Sequence, residues 1–582
     1  MPATAPALTL AFGLSFEGLY DFAGLRQVDR EFVRWLEAAD AALAASLAAA
    51  RADPAALAYK EEADLLIAVA PHLDRFIAKL FAIEEEWQEL VEGHHRLAPL
   101  FRVKRKFVQR RAMLKIKAEE AATLDGAALE DAVARILGGA FDELGFAEHV
   151  LAWTANEAAH GPQLATAERF AAWAAHTPEG RWRFRDGVLF KPPQRVDPMH
   201  LVPVVTDTSR GYSVHTLHHV RRREGFALTD PGTHLAGALD EANYCIWCHE
   251  QGKDSCSKGL KEKPAEDGAI AFKKSPFGVP LAGCPLEERI SEFHKLKTEG
   301  WAVGALAMIV IDNPTVCATG HRICNDCMKS CIYQRQDPVD IPQAETRTLK
   351  DVLELPWGFE IYSLLTRWNP LNLRRPLPLA PTGKRVLVVG MGPAGFTLAH
   401  HLMNDGHTVA GVDGLKIEPL DAELSGVTPE GRRVPFRPVL DLEEMREPLE
   451  RRVMAGFGGV AEYGITVRWD KNFLKMARLL VERRAQFALF GGVRFGGTLT
   501  AENAFEMGFD HVALAAGAGK PTVLDMPHGL ARGVRTASDF LMALQLTGAA
   551  REESIANLQV RLPIVVVGGG LTAIDTATES LA

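Results

Sequence analysis

Outside residues 245–331 the chain has no cysteine, and nowhere does it run to ~18 uninterrupted apolar residues, which excludes a transmembrane helix. Basic residues do not predominate: 65 Lys and Arg face 74 Asp and Glu, a formal net charge of −9. Nothing in that total favours nucleic acid or an anionic membrane as a partner. The opening residues, MPATAPALTLAFGLSFEG, carry neither a basic leader nor a long apolar core, so no signal peptide is expected and a cytoplasmic location follows by default. What remains is 582 residues with 47% hydrophobic and 24% charged side chains, the profile of a globular protein. At ~150 residues per domain, length alone suggests about four domains.

The eight cysteines stand at 245, 248, 256, 284, 317, 324, 327 and 331. A disulfide scaffold suits a small secreted domain, and inert core cysteines would be scattered through every core, so metal is the better reading. Cys245-x2-Cys248 and Cys324-x2-Cys327 could each supply half of a zinc site. Cys256, Cys284, Cys317 and Cys331 raise the set to twice four, and four thiolates hold one [4Fe–4S] cluster. Cys284 also precedes Pro285. Iron–sulfur is favoured, with zinc the alternative.

Residues 1 to about 200 read as mostly helical and Ala-rich. Leu73, Phe76, Ile77, Leu80, Ile83, Trp87 and Leu90 recur at three- and four-residue steps, the apolar face of a helix. A second helix is expected near Leu129, Val133, Ile136 and Leu137, ended by Gly138. Between them Lys or Arg fills eight positions from Arg102 to Lys117, read as a solvated helix face rather than a docking surface. His94 and His95, being adjacent, point to different faces and read as a surface pair. An irregular approach over about 180–240 and an insertion loop at 257–283 flank the first cysteines. The Pro-rich stretch RWNPLNLRRPLPLAPTG is expected to be a linker.

At 385 the pattern becomes RVLVVGMGPAGFTLAHHLMNDGHTVAGVDG. Val386–Val389 reads as a buried parallel strand, Gly390, Gly392 and Gly395 as G-x-G-x-x-G, Phe396 to Leu402 as the opening of a helix, and Thr408 to Val412 as the next strand. Gly390 permits the tight turn, Gly392 lets a pyrophosphate approach the backbone, and Gly395 lets helix pack on strand. The helix N-terminus offers free N–H groups to phosphate. Asp413, 23 residues after Gly390, is placed for a ribose hydroxyl. The same grammar restarts at LPIVVVGGGLTAIDTATES, with Val565–Val567 as strand and Gly568, Gly570 and Ala573 as G-x-G-x-x-A. Two such loops imply two dinucleotides, economically a flavin and a nicotinamide. Because the sequence stops inside the helix after this second loop, it reads as a piece of a longer protein, expected to be unable by itself to oxidise NAD(P)H.

The motifs CIWC, GCPLEERI, CATGHRICNDCMKSC followed by PVDIPQAE, VLVVGMGPAGFTLAHHL, GGVAEYGI, LAAGAGKP, SDFL and VVVGGGLTAIDTA occur in that order. Over roughly 235–582 the chain thereby resembles the small (beta) subunit of NADPH-dependent glutamate synthase and the matching amino-terminal part of dihydropyrimidine dehydrogenase. Residues 1–200 lie outside the resemblance and read as a mostly helical extension. Beyond them the resemblance implies an α/β protein: an α-helical ferredoxin-like domain with two [4Fe–4S] clusters (201–355), then, past the Pro-rich linker (356–383), a Rossmann-type FAD domain (384–558) and the beginning of an inserted NAD(P)H domain (559–582). By family topology Cys245, Cys248, Cys256 and Cys331 hold one cluster and Cys284, Cys317, Cys324 and Cys327 the other.

The sequence departs from that family in an enlarged gap between Cys256 and Cys284, and in Cys324, where the family spacing puts a thiolate at position 321. Glu345 falls near a position where some members use a non-cysteine ligand. The resemblance assigns Gly390, Gly392, Ala394, Gly395 and Asp413 to the FAD pyrophosphate and ribose. It puts Gly459, Tyr463, Gly464 and Ile465 near the flavin ring, and Ala516 and Gly517 at a turn closing on FAD that has lost the family's threonine. The implied activity is NAD(P)H oxidation through FAD and two clusters to an electron-accepting subunit or domain, for glutamate synthesis or for another reductase. No cysteine follows Cys331, so no redox-active CxxC stands beside the flavin and disulfide-reductase chemistry is excluded. A zinc-bearing scaffold is the reading from a different class.

Overall fold

The computed structural model describes residues 8–202, 204–217, 227–228, 230–263, 270–320, 323–452, 457–459, 470–518, 521–549, 551 and 553–581. The chain begins with helices α1 (Phe22–Ala39), α2 (Ala41–Ala52), α3 (Tyr59–Phe81) and α4 (Glu84–Arg96). The apolar stripe from Leu73 to Leu90 is shared between two helices. Ala82, at φ 53°, ends α3, and three glutamates open α4, where they suit the positive helix end. The helix Gly126–Leu137 ends at Gly138, whose φ of 77° only glycine adopts without strain.

Among the described residues two large hydrophobic cores result, with a small third one of Leu387, Val389, Val412 and Ala504 on the sheet. Residues 97–190 fold around Phe146, Phe170, Phe184 and Phe190. The larger core joins α1 and α3 to the cysteine region and onward to the C-terminal sheet, through Phe32, Phe76, Phe293, Leu306, Trp368, Val388, Phe396 and Leu480. The first part of the Pro-rich stretch expected to be a linker, through Leu373, belongs to this core, while residues 379–383 are exposed. Trp368, Leu371 and Leu373 are buried, the Trp368 ring packs on Phe32 and Phe76, and its Nε1 donates to Asp29 at 2.9 Å. Its apolar residues outweigh its prolines, which only keep it from being helix or strand.

The basic segment is helical, with a π-helical stretch Lys104–Ala112; three of its eight cations meet acids among the described residues, and Arg102, Arg105, Lys106, Arg110 and Lys117 are exposed, as a solvated face requires. Lys104 pairs with Asp240 at 2.5 Å, Arg111 with Glu157 and Glu168, and Lys115 with Glu168. His94 corrects the surface-pair expectation: it is buried, with Nδ1 2.8 Å from the Leu90 carbonyl and Nε2 3.5 Å from Asp351, whereas His95 is exposed. Within the irregular 180–240 region, β1 (Val204–Asp207) and β2 (Val214–Leu217) form an exposed antiparallel hairpin.

The second layered unit is a parallel sheet of β3 (Arg385–Val389), β4 (Thr408–Val412), β5 (Phe487–Phe490) and β6 (His511–Leu514), ordered β5-β4-β3-β6. Val386 faces Val409 and His511, and the helix Pro393–Asn404 crosses from β3 to β4 as a βαβ unit requires. The helix Asn472–Glu482 buries Phe473, Leu479 and Leu480 in the larger core.

A buried ion pair ties the N-terminal helices to this unit. Arg483 Nη1 lies 2.8 and 3.0 Å from the two Glu360 oxygens and 3.0 Å from the Tyr20 hydroxyl, and that hydroxyl in turn reaches Glu360. Removing one member strands the other charge in low dielectric. Glu360→Ala is therefore expected to cost about 3–5 kcal/mol of unfolding free energy by denaturant titration, and a loss under ~1 kcal/mol contradicts it.

Candidate functional site

The glycine turn after β3 is built by close backbone approach. A Cβ on Gly390 (φ +96°) would lie 2.4 Å from the Ala515 oxygen and 2.8 Å from Ala516 Cα; one on Gly395 would lie 1.9 Å from the Gly390 oxygen. The first contact brings the Ala515–Gly517 turn against the loop, and the second seats helix on strand. Gly392 caps the helix Pro393–Asn404, and a Cβ there would stand 3.3 Å from Gly459 Cα. Gly458, which sequence reasoning passed over, sits at φ +124° with room for no Cβ, 2.1 Å from the Met391 oxygen. Asp413 directly follows β4 and is buried. Its Oδ2 accepts from the Met391 N–H at 2.7 Å and its Oδ1 from the Leu415 N–H at 2.8 Å. It thus fixes the loop's shape, and a carboxylate's four lone-pair sites leave capacity for a ribose hydroxyl. Ala394 lies in the first turn of the capped helix, where backbone N–H groups have no intrahelical partner. Tyr463, Gly464 and Ile465 lie outside the described residues.

At the second glycine motif the structure corrects one expectation. Val565–Val567 forms no strand among the described residues; Val565 and Val567 are 84% and 68% exposed. A strand exists only through its ladder, and no described segment pairs with this one. The turn itself has the expected form: Gly568 is at φ +134°, Gly570 caps the helix Leu571–Glu579, and Ala573 packs near Gly568.

The cysteines separate into groups. Cys245, Cys248, Cys256 and Cys331 line one small cavity, whose other walls are Ile246, Ile290, His294, Ile332, Tyr333, Val339 and Ile341. Cys245 follows the helix Leu235–Tyr244, and Cys248 opens a short turn after Trp247, which takes φ 51°. Cys256 sits in the turn Ser255–Lys258 capped by Asp254. Burial raises the Cys245 thiol and pushes Cys248 up to about 11. A thiol–thiol hydrogen bond from Cys256 lowers Cys331 and raises Cys256. Four thiols crowded together, three of them buried, cannot all ionise unless a cation supplies the opposing charge, and a bound metal does so outright. No three His, Cys, Asp or Glu side chains among the described residues already stand in the geometry of a bound metal ion. The donor set nonetheless fits an iron–sulfur cluster: four sulfurs, a largely apolar wall, and a buried imidazole, His294, with neither ring nitrogen partnered.

The second group adjoins the first, since the Cys284 N–H donates to the Cys256 carbonyl at 2.8 Å. Among the described residues of the 257–283 insertion, Lys261 is bridged to Phe272 and Lys274 to Pro280. Cys327 lies within electrostatic reach of Glu345, Glu288, Cys284 and Cys324, and burial raises its thiol. Glu345 is buried, accepts from Asn313 Nδ2 at 2.9 Å, and is pushed up to about 7 by burial. Cys317 stands beside Tyr362, whose hydroxyl accepts from the Cys317 N–H at 3.4 Å and donates to the Pro314 carbonyl. Sequence reasoning missed His294 and Glu288. Ile290 and His294 are one helical turn apart and share the cavity, a spacing legible in the sequence.

No helix among the described residues is long and apolar enough to cross a membrane. Residues 10–82 match the family described as the RP005 N-terminal alpha-helical domain, and residues 384–581 match Pyridine nucleotide-disulphide oxidoreductase. The chain is 53% identical over 266 residues to the uncharacterized protein RP006 of Rickettsia prowazekii, covering 46% of this chain and 36% of that protein. It is 30% identical over 301 residues to RP005 of the same organism, covering 50% of this chain and 99% of that one. To the glutamate synthase [NADPH] small chain of Mycobacterium tuberculosis it is 27% identical over 310 residues, 51% of each chain. The chain thus spans about a third of RP006 and half of the small chain. With the parallel sheet and its glycine turn, these matches identify an oxidoreductase with a helical N-terminal domain.

Proposed function

The chain belongs to the family of the Rickettsia prowazekii protein RP005, and on that premise we propose that it passes reducing equivalents from NAD(P)H through FAD to two cysteine-held [4Fe–4S] centres and on to an electron-accepting subunit or domain. The observation that carries this reading is the meeting of Cys245, Cys248, Cys256 and Cys331 on one cavity, in the same hydrophobic core as the glycine turn. When bound, FAD accepts a hydride from NAD(P)H and iron–sulfur clusters carry its electrons singly.

The chain's own residues bind and shield. Backbone N–H groups after Gly392 hold the pyrophosphate, Gly390 and Gly395 keep the turn tight enough for that approach, and Asp413 holds the loop and a ribose hydroxyl. Ala516 and Gly517 close on the flavin side, and Gly568, Gly570 and Ala573 begin the nicotinamide site. The isoleucines and Val339 around the first four thiolates exclude water. For the second centre we assign Cys284, Cys324 and Cys327 with Glu345 as fourth ligand, because the Cys317 thiol is hydrogen-bonded to Tyr362 while Glu345 lies within electrostatic reach of Cys327.

Iron and acid-labile sulfide analysis of anaerobically purified protein tests both levels. The expected content is on the order of eight iron per chain. Glu345→Ala is expected to lose about half of it and Cys317→Ser none. Colourless, zinc-containing protein contradicts the function, and the reverse response of the two variants contradicts the assignment.

A further inference from the structure

Within the cavity of Cys245, Cys248, Cys256 and Cys331, one wall residue has no structural employment. His294 is completely buried, and among the described residues neither Nδ1 nor Nε2 has a hydrogen-bond partner. Its ring packs edge-on against Phe293, 4.5 Å between centroids, a contact any aromatic could make. An orphaned buried polar group costs ~1–3 kcal/mol, and native proteins keep one where an absent ligand satisfies it. A leucine would fill the same volume without that cost.

The helix Ile290–Thr298 that carries His294 is fixed from several sides, so the imidazole is held toward the cavity. Arg289 at its start is clamped by Glu62 and Asp312, each at 2.7 Å. Tyr59 of α3 donates to Glu292 at 3.0 Å, and Lys297 pairs with Asp351 at 2.6 Å. Asp74 of α3 accepts from the N–H groups of Val303 and Gly304 in the next helix. The N-terminal domain therefore buttresses the element bearing the imidazole.

A neutral imidazole has one N–H to give; the Tyr333 hydroxyl on the same wall is turned to the Tyr244 carbonyl at 3.4 Å, and the other side-chain acceptors lining the cavity are sulfurs. Hydrogen bonds to the sulfurs of an iron–sulfur centre withdraw electron density and raise its reduction potential. We propose that His294 is a positioning residue of the first centre, donating its ring N–H to a sulfur there and setting that centre's potential. This inference rests on the iron–sulfur reading of the four cysteines and adds to it a residue that tunes rather than ligates.

The test is a redox titration of the anaerobic protein followed by electron paramagnetic resonance, comparing wild type, His294→Leu and His294→Gln. His294→Leu is expected to keep its iron and sulfide but shift the first centre's midpoint downward. His294→Gln, which retains an N–H donor, is expected to recover much of that shift. In wild-type protein carrying ¹⁵N-histidine, pulsed resonance is expected to show weak nitrogen coupling to the first centre, a readout that needs no variant to fold. An unmoved midpoint with iron retained overturns the role of His294 alone. Strong coupling with loss of iron in His294→Leu overturns it in favour of direct ligation. Absence of iron and sulfide from the wild type instead removes the centre, and the underlying reading fails with it.

Discussion

Cys245→Ser is expected to remove about half of the bound iron, together with a matching share of the visible absorption, while the protein stays folded. Cys245 is only partly buried and contributes little apolar packing, so exchanging sulfur for oxygen disturbs the fold less than the ligation. A serine oxygen is a harder, more basic ligand than a thiolate, and three remaining sulfurs at a desolvated site hold a four-iron cluster poorly. The second group, Cys284, Cys324 and Cys327 with Glu345, is a separate donor set that adjoins the first through the Cys284 N–H to Cys256 carbonyl hydrogen bond, and it is expected to keep its iron. Iron analysis beside circular dichroism checks both halves. Unchanged iron in the variant contradicts a ligand role for Cys245.

The second large effect is expected at Gly392. The other two turn glycines are poor probes: a Cβ on Gly395 or Gly390 would strike backbone at 1.9 or 2.4 Å and break the turn itself. At Gly392 the Cβ meets Gly459 Cα at 3.3 Å, close enough to need a small adjustment but not to unfold the sheet. What it does is cover the backbone where the pyrophosphate must approach. Gly392→Ala is therefore expected to weaken FAD binding by ~3 kcal/mol, on the order of 100-fold, with thermal stability nearly unchanged. Flavin retention on gel filtration and fluorescence titration of released flavin measure it. Equal flavin content in variant and wild type contradicts the assignment of this turn to FAD.

The legible parts of this protein are those whose cause is local. Strand, glycine turn, helix and Asp413 could be read because each glycine answers a backbone demand within a few residues, and β3, the helix Pro393–Asn404 and β4 appear where the pattern put them. The helix ended by Gly138 was legible for the same reason. Long-range pairing was not. Val565–Val567 has the composition of a strand but no described neighbour to complete its ladder. Trp368 sits among prolines yet finds Phe32 and Phe76 more than three hundred and about two hundred and ninety positions away, respectively. His94 looked like surface because its partner, Asp351, lies on a distant helix. Cysteine spacing directed attention to 245–331, but it carries no sign of what stands beside each thiol, Tyr362 at Cys317 and the buried Glu345 within electrostatic reach of Cys327. Nor does spacing among cysteines single out the histidine on their cavity wall.

The most direct measurement is electron paramagnetic resonance of the anaerobically purified protein before and after reduction, read together with its metal content. The account predicts a brown protein, silent when oxidised, that on reduction develops the signals of two four-iron clusters, one of which vanishes in Cys245→Ser. A protein whose cysteines between 245 and 331 hold zinc, with no signal on reduction, contradicts it.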